Sequence, residues 1–267
     1  MNSNLPQRRR GAGAQGRRGD ARGDREIVWW GDEEPAEGPK RKGARVKFRV
    51  FFLTLASLAL LASWRFVPVC SAGEFRQALP GYTFSFPRDH YAHEDFRTEW
   101  WYYTGHLRSK GGEEYGYQVT FFRSGLAEAR DNPSRWAAKN LYLAHFAVSD
   151  IPRKSFRYFE RVNRAGLGQA GASETEFRVW VGDWEVSGDG ARQRLKAKEG
   201  EFALDLHLAS QRSPVIHGEN GVSRKGEGRG HASHYYSLTR LKTEGTLTVP
   251  GKPLEVTGQS WMDHEFG

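Results

Sequence analysis

The chain has 267 residues and a formal net charge of +8, a length that admits one large or two small domains. Of its 40 Lys/Arg and 32 Asp/Glu, residues 1–49 hold 13 and 7, leaving 27 and 25 for everything after. The body is therefore close to neutral, which removes the electrostatic warrant for a nucleic-acid partner. The single cysteine, Cys70, excludes an intrachain disulfide.

In chain order, residues 1–49 are rich in Arg, Gly, Asp and Glu and carry too few apolar side chains to offset ordering entropy, so they are expected to form a disordered basic tail. Val50–Ser63 is rich in Leu, Phe and Ala and has the length of a signal-peptide h-region. Cys70, Ser71 and Ala72 supply a small-residue exit, with cleavage expected after Ala72. The competing reading is an uncleaved anchor from Val50 to Val69, in which Arg65 would have to snorkel. The basic flank fits the positive-inside rule, so segment 50–72 is a signal peptide or an anchor. The protein is expected to be exported to the periplasm or beyond, or held at the membrane through residues 50–69. The long basic stretch also admits a later start at Val46, which would yield a compact signal beginning VKFRVFF.

Residues 73–267 change character. Short aromatic and β-branched runs recur every eight to twelve residues between Gly, Asn, Asp and Pro, the pattern of an all-β sandwich or barrel. Strands are expected at 99–107, 115–122, 141–149, 155–161, 176–181, 184–187, 192–197, 202–209, 234–241, 246–249 and 254–262. Phe202, Leu204, Leu206 and Leu208 form one apolar face, and Tyr115, Tyr117, Val119 and Phe121 another. Residues 210–233, with five glycines, read as a long polar loop of the kind that is functional or mobile.

Three constellations carry chemical interest. In TEWWYYTGHL, alternation puts Glu99, Trp101 and Tyr103 on one strand face and Trp100, Tyr102 and Thr104 on the other. One aromatic face then lines a ligand pocket and the other a core, or both are core with Glu99 exposed or paired. In WMDHEFG, alternation groups Trp261, Asp263 and Glu265 and sends Met262 and His264 to the opposite face. A metal reading of Asp263, His264 and Glu265 fails on direction, so no metal is expected. An Asp behind a Trp in an apolar lumen suits a general acid, because desolvation favours the protonated carboxyl. In SHYYSL, His234 and Tyr236 share a face and would stand beside that acid, although a strand His is commonly structural. His145 shares a face with Leu141 and Leu143 and is expected to point inward. The sequence holds no Gly-x-Ser-x-Gly elbow, His-Glu-x-x-His, phosphate loop or dinucleotide fingerprint.

TEWWYYTGHL, LAHFAVSD and WMDHEFG at these separations resemble the lipocalin-like family of carotenoid 1,2-hydratases (hydroxyneurosporene synthases) and the AttH-type proteins labelled predicted secreted hydrolases, over roughly 81–267. The resemblance implies a lipocalin-like β-barrel, the first of a tandem pair whose second barrel is missing here, so a fragment is expected. It implies a hydrophobic small-molecule partner such as a carotenoid or other isoprenoid, and no cofactor. It assigns Asp263 the role of acid that protonates a terminal double bond, with Tyr236 and Trp261 stabilising the cation and His234 tuning the acid. Glu99, Trp101, Tyr103 and His145 would line the ligand pocket. Because the AttH branch shares these motifs without an established reaction, a non-catalytic binder of a hydrophobic molecule and a secreted hydrolase stand as alternatives.

Overall fold

The computed structural model describes residues 74–134 and 136–267; the basic tail, the hydrophobic segment 50–69 and Cys70 lie outside them. Among the described residues no helix is long and apolar enough to cross a membrane. They contain the 3₁₀ turns Arg88–His90 and Ala127–Ala129 and the strands β1 (Thr98–Ser109), β2 (Glu114–Gly125), β3 (Asn140–Asp150), β4 (Ser155–Arg164), β5 (Ala170–Ala172), β6 (Phe177–Val181), β7 (Trp184–Gly188), β8 (Arg192–Glu199), β9 (Phe202–Ser210), β10 (Val215–Ile216), β11 (Val222–Arg224), β12 (Ala232–Val249) and β13 (Lys252–Phe266).

The sheet runs β4-β3-β2-β1-β13-β12-β9-β8-β7-β6-β5, with every pair antiparallel. It curls into a nearly closed all-β barrel whose first and last strands approach one another. Side chains bridge that seam. Phe159 of β4 packs on Phe146 and Phe202, and Arg161 reaches Glu199, Asp183 and the Lys198 carbonyl while lying over Trp184.

Alternation fills the interior. The two apolar faces expected on β9 and β2 do point inward, and Phe202, Leu204, Leu206, Leu208, Tyr115, Tyr117, Val119 and Phe121 join one core cluster with Trp101, Tyr103, Phe146, Trp184, Leu238 and Met262. The strands expected at 234–241 and 246–249 are a single strand, β12. Gly245 interrupts the apolar pattern but not the ladder, because β9 crosses so closely that a Cβ there would lie 2.2 Å from the Asp205 carbonyl oxygen. A register shift between Leu238 and Leu241 divides the β12 edge. Beyond it β9 pairs with residues 241–248, and before it the segment expected to be a bare loop supplies β10 and β11, which pair with residues 232–237.

Candidate functional site

Strand β13 presents two chemistries on its two faces. Its register sets Asp263 opposite Tyr102 of β1 and Ser237 of β12, and His264 opposite Trp101 and Tyr236. Met262, His264 and Phe266 are fully buried inside the barrel, whereas Trp261 and Asp263 lie half-buried on the outer face. Strand parity therefore groups residues as expected but with inside and outside exchanged. Asp263 does not enter the lumen and His264 does. Both faces of this strand are rich in bulky or polar groups, so alternation alone carries no sign; packing against β1 and the segment preceding it decides.

That preceding segment, residues 82–96, crosses one end of the barrel and brings Asp89, His90 and His93 onto the inner face. Glu99, fully buried, takes four donors. His93 Nδ1 (2.7 Å) and His264 Nε2 (2.9 Å) reach Oε1, and the His93 amide (3.0 Å) and Arg123 Nε (3.1 Å) reach Oε2. His93 Nε2 continues to Asp89 Oδ1 at 3.2 Å, which also accepts from Tyr82, while Asp89 Oδ2 accepts the Ser85 amide. On the other side His264 Nδ1 lies 3.0 Å from the Tyr236 hydroxyl, which lies 2.7 Å from His90 Nδ1. Gly190 makes room for that ring, since a Cβ there would lie 2.0 Å from His90 Cδ2.

Electrostatics assigns the protons. Burial alone would lower the His93 pKa, but the Glu99 and Asp89 carboxylates outweigh it and raise the net value. Burial would raise Glu99 and Asp89, yet His93, His264 and Arg123 hold Glu99 well below the usual carboxylate range, and His93, the Ser85 amide and Tyr82 hold Asp89 low. Burial, with the nearby His93 charge, lowers His264, and burial lowers His90 to about 4. Arg123 and His93 are thus cations, Glu99 and Asp89 anions, and the cluster is neutral overall. His264 then donates from Nε2 to Glu99, Tyr236 donates to His264 Nδ1, and His90 Nδ1 donates to Tyr236, an order assigned from the network.

His93, Glu99 and His264 place ligand-type atoms within 4.8 Å of one another. Seating a divalent cation there would require removing the protons both imidazoles give to Glu99 Oε1 and adding two positive charges beside Arg123. The residues fit an ion cluster far better than a metal centre. Every strong acceptor in it is occupied, so it joins the crossing segment to the barrel.

On the outer face the arrangement is open. Three donors converge on Asp263 Oδ1: Trp261 Nε1 at 2.6 Å, the Tyr235 hydroxyl at 3.0 Å and the Ser237 hydroxyl. Among the described residues no hydrogen bond reaches Oδ2. Asp263 and Trp261 line a surface pocket of about 420 Å³ together with Tyr102, Thr104, His106, Thr239 and Gln259. Burial, with Asp263 close by, pushes the Tyr235 hydroxyl up to about 12, so it remains a donor across ordinary pH. Behind Ser237 stands His217, its Nε2 2.6 Å from the serine oxygen and its ring stacked on Tyr235 at 4.2 Å.

The expected site residues therefore separate. Asp263 and Trp261 meet outside; His234 and Tyr236 lie inside and are not beside them, since the same one-residue parity exchange sets Tyr235 and Ser237 there instead. His234 is buried against Tyr82, Phe96 and Phe266, and burial lowers it to about 4. Glu99, Trp101 and Tyr103, expected to line a ligand pocket, point inward. Glu99 is paired in the ion cluster, Trp101 stacks on His264, and Tyr103 donates to Gln193 within the packed core. His145 was expected inward and is outward. Tyr142, Ala144, Phe146 and Val148 fill that strand's inner face, while His145 sits half-buried near Phe122, Tyr158 and Glu160. Sequence reasoning missed Asp89, His93 and Arg123, which gather only in three dimensions, and His217, hidden in a glycine-punctuated loop.

Comparison with known proteins agrees with this fold. The AttH-like family model matches residues 77–267. A crystal structure from Nitrosomonas europaea assigned as an AttH superimposes with a TM-score of 0.65 at 36% identity, covering 72% of this chain and 58% of that one. Kievitone hydratase from Nectria haematococca shares the fold, with a TM-score of 0.53 at 17% identity over 73% of this chain and 55% of that one. The chain thus spans under two thirds of either protein. No curated protein matches it. On the extent of the model match and the identity to the Nitrosomonas protein, the chain belongs to the AttH-like family.

Proposed function

We propose that this protein is a hydratase of the carotenoid 1,2-hydratase type, adding water across an isoprenoid carbon–carbon double bond with Asp263 as general acid. The observation that carries the reading is the asymmetry of that carboxyl: three donors fix Oδ1, while among the described residues no hydrogen bond reaches Oδ2, and Asp263 lines a 420 Å³ pocket with Tyr102 and Trp261. In its acid form Asp263 gives the Oδ2 proton to the less substituted alkene carbon. The π pair forms the new C–H bond and leaves a tertiary cation. Trp261 and Tyr102 line the same pocket and supply aromatic rings to stabilise that charge. Water adds to the cation and its surplus proton returns to the carboxylate, so the cycle closes without a cofactor. The existence of a kievitone hydratase on the same fold supports hydration as the reaction class.

The test is turnover of lycopene, neurosporene and kievitone by the protein and by Asp263→Asn. A hydrated product from the parent, reduced on the order of 10²-fold or more in the variant, is expected. Turnover undiminished in Asp263→Asn would refute the assignment. The partly exposed Trp100, Tyr102 and Trp261 favour one second reading, a binder of apolar molecules without chemistry; binding unaltered in Asp263→Asn with no turnover by the parent would select it. A hydrolase gains no nucleophile from the Ser237–His217 pair, because Ser237 is fully buried and gives its proton to Asp263. Export or membrane attachment through residues 50–72 is part of the same proposal.

A further inference from the structure

Ser237 has one proton, and around it stand the Asp263 carboxyl, the His217 ring and the Tyr235 hydroxyl, which itself donates to Asp263. With the carboxyl proton on Oδ2 or absent, Asp263 Oδ1 can only accept, and Ser237 is its donor. The proton therefore goes to Asp263 Oδ1, and the 2.6 Å contact on the other side is satisfied only if His217 donates from Nε2. Resting on the reading of Asp263 as the acid, we propose that His217 is a positioning residue: its Nε2–H locks the Ser237 hydroxyl toward Asp263 and so holds the carboxyl with Oδ2 in the pocket.

Three features of the surroundings build this role. The strand pairing of β10 with β12 sets Val215 opposite Ser237, and the His217 amide then bonds the Tyr235 carbonyl at 2.9 Å, so the ring's backbone is anchored to the strand it serves. The ring stacks on Tyr235 at 4.2 Å and 28°, and Tyr235 is itself a donor to Asp263 Oδ1, so one imidazole steadies two of the three donors. Ser237 is fully buried, so the chain from His217 to Asp263 does not compete with solvent at its middle member. The polar loop 210–233 thereby acquires a definite task, to carry His217 to the outer face of β12.

Two substitutions separate donation from stacking. His217→Phe keeps a ring against Tyr235 and removes the donor; His217→Gln removes the ring and keeps an N–H able to reach Ser237. A readout independent of substrate is the Trp261 indole N–H resonance in protein labelled with ¹⁵N-tryptophan, assigned with Trp261→Phe, because that proton bonds the same carboxyl oxygen. The resonance is expected to move in His217→Phe and to return toward the parent position in His217→Gln. With whichever alkene the parent hydrates, kcat is expected to fall on the order of tenfold in His217→Phe with KM within about twofold, and to recover in His217→Gln. An unmoved resonance in His217→Phe, or one displaced equally in folded His217→Gln, overturns the proposal. A moved and rescued resonance in a protein that hydrates none of the alkenes upholds the positioning role and refutes the hydratase reading instead.

Discussion

The paired strands β1 and β13 carry a buried carboxylate, Glu99, on the inner face and a half-buried one, Asp263, on the outer face, and their surroundings differ in kind. Inside, Glu99 has every lone pair engaged, its charge balanced by Arg123 and His93, and no exposed surface. Outside, Asp263 has three donors on one oxygen and, among the described residues, none on the other, and its side chain lines a pocket. Saturation marks a group that holds structure together, and asymmetry marks one that can still meet a ligand. The inner cluster is richer in histidine and carboxylate, yet the outer carboxyl is the better candidate for chemistry because, among the described residues, one of its oxygens takes no hydrogen bond.

The contrast is broken most severely by removing the inner carboxylate. Glu99→Gln leaves Arg123 buried without its anion, and a loss of about 3–5 kcal/mol is expected. In a domain of this size that lowers the melting temperature on the order of 10 °C, checked by calorimetry. Asp263→Asn should behave in the opposite way, with turnover reduced on the order of 10²-fold and the melting temperature nearly unchanged, measured on the same preparations.

A smaller effect follows from pH. The raised His93 makes its pairing with Glu99 and Asp89 fully effective below the ordinary histidine value near ~6.5, and that contribution is lost as pH rises through the raised value. His90 and His234, each lowered to about 4 by burial, act on the other side. As pH falls from ~6.5 toward 4 the unfolded chain binds protons that the folded chain refuses, and stability declines. Urea unfolding across this range should show a maximum between ~6.5 and the raised His93 value, and His93→Gln should flatten its alkaline side. Smallest of all, Trp261→Phe removes one of three donors to Asp263 and should cost about 0.5–1.5 kcal/mol, read by the same denaturation.

Much of this fold was legible in the sequence because a barrel strand writes its burial with period two. The alternation in Phe202–Leu208 and Tyr115–Phe121 located two inner faces without ambiguity, since the intervening residues are polar or small. In β1, β3 and β13 both faces carry large side chains, so the same alternation grouped residues correctly while giving no sign; hence Asp263 and His145 were expected inward and His264 was set aside. The short β5, β10 and β11 lie below the length at which periodicity speaks. The Asp89–His93–Glu99–Arg123 cluster joins a 3₁₀ turn to two strands through contacts spanning as many as 30 positions, and no local pattern announces it. His217 was hidden for a related reason, because its role depends on which strand edge the loop lies against.

The most direct test is a single comparison of Asp263→Asn with Glu99→Gln, each assayed for alkene hydration and for melting temperature. Asp263→Asn is expected to lose turnover while keeping its stability, and Glu99→Gln to lose stability first. An Asp263→Asn protein that hydrates at the parental rate, or a Glu99→Gln protein that is as stable as the parent yet inactive, would contradict it and move the working site inside the barrel.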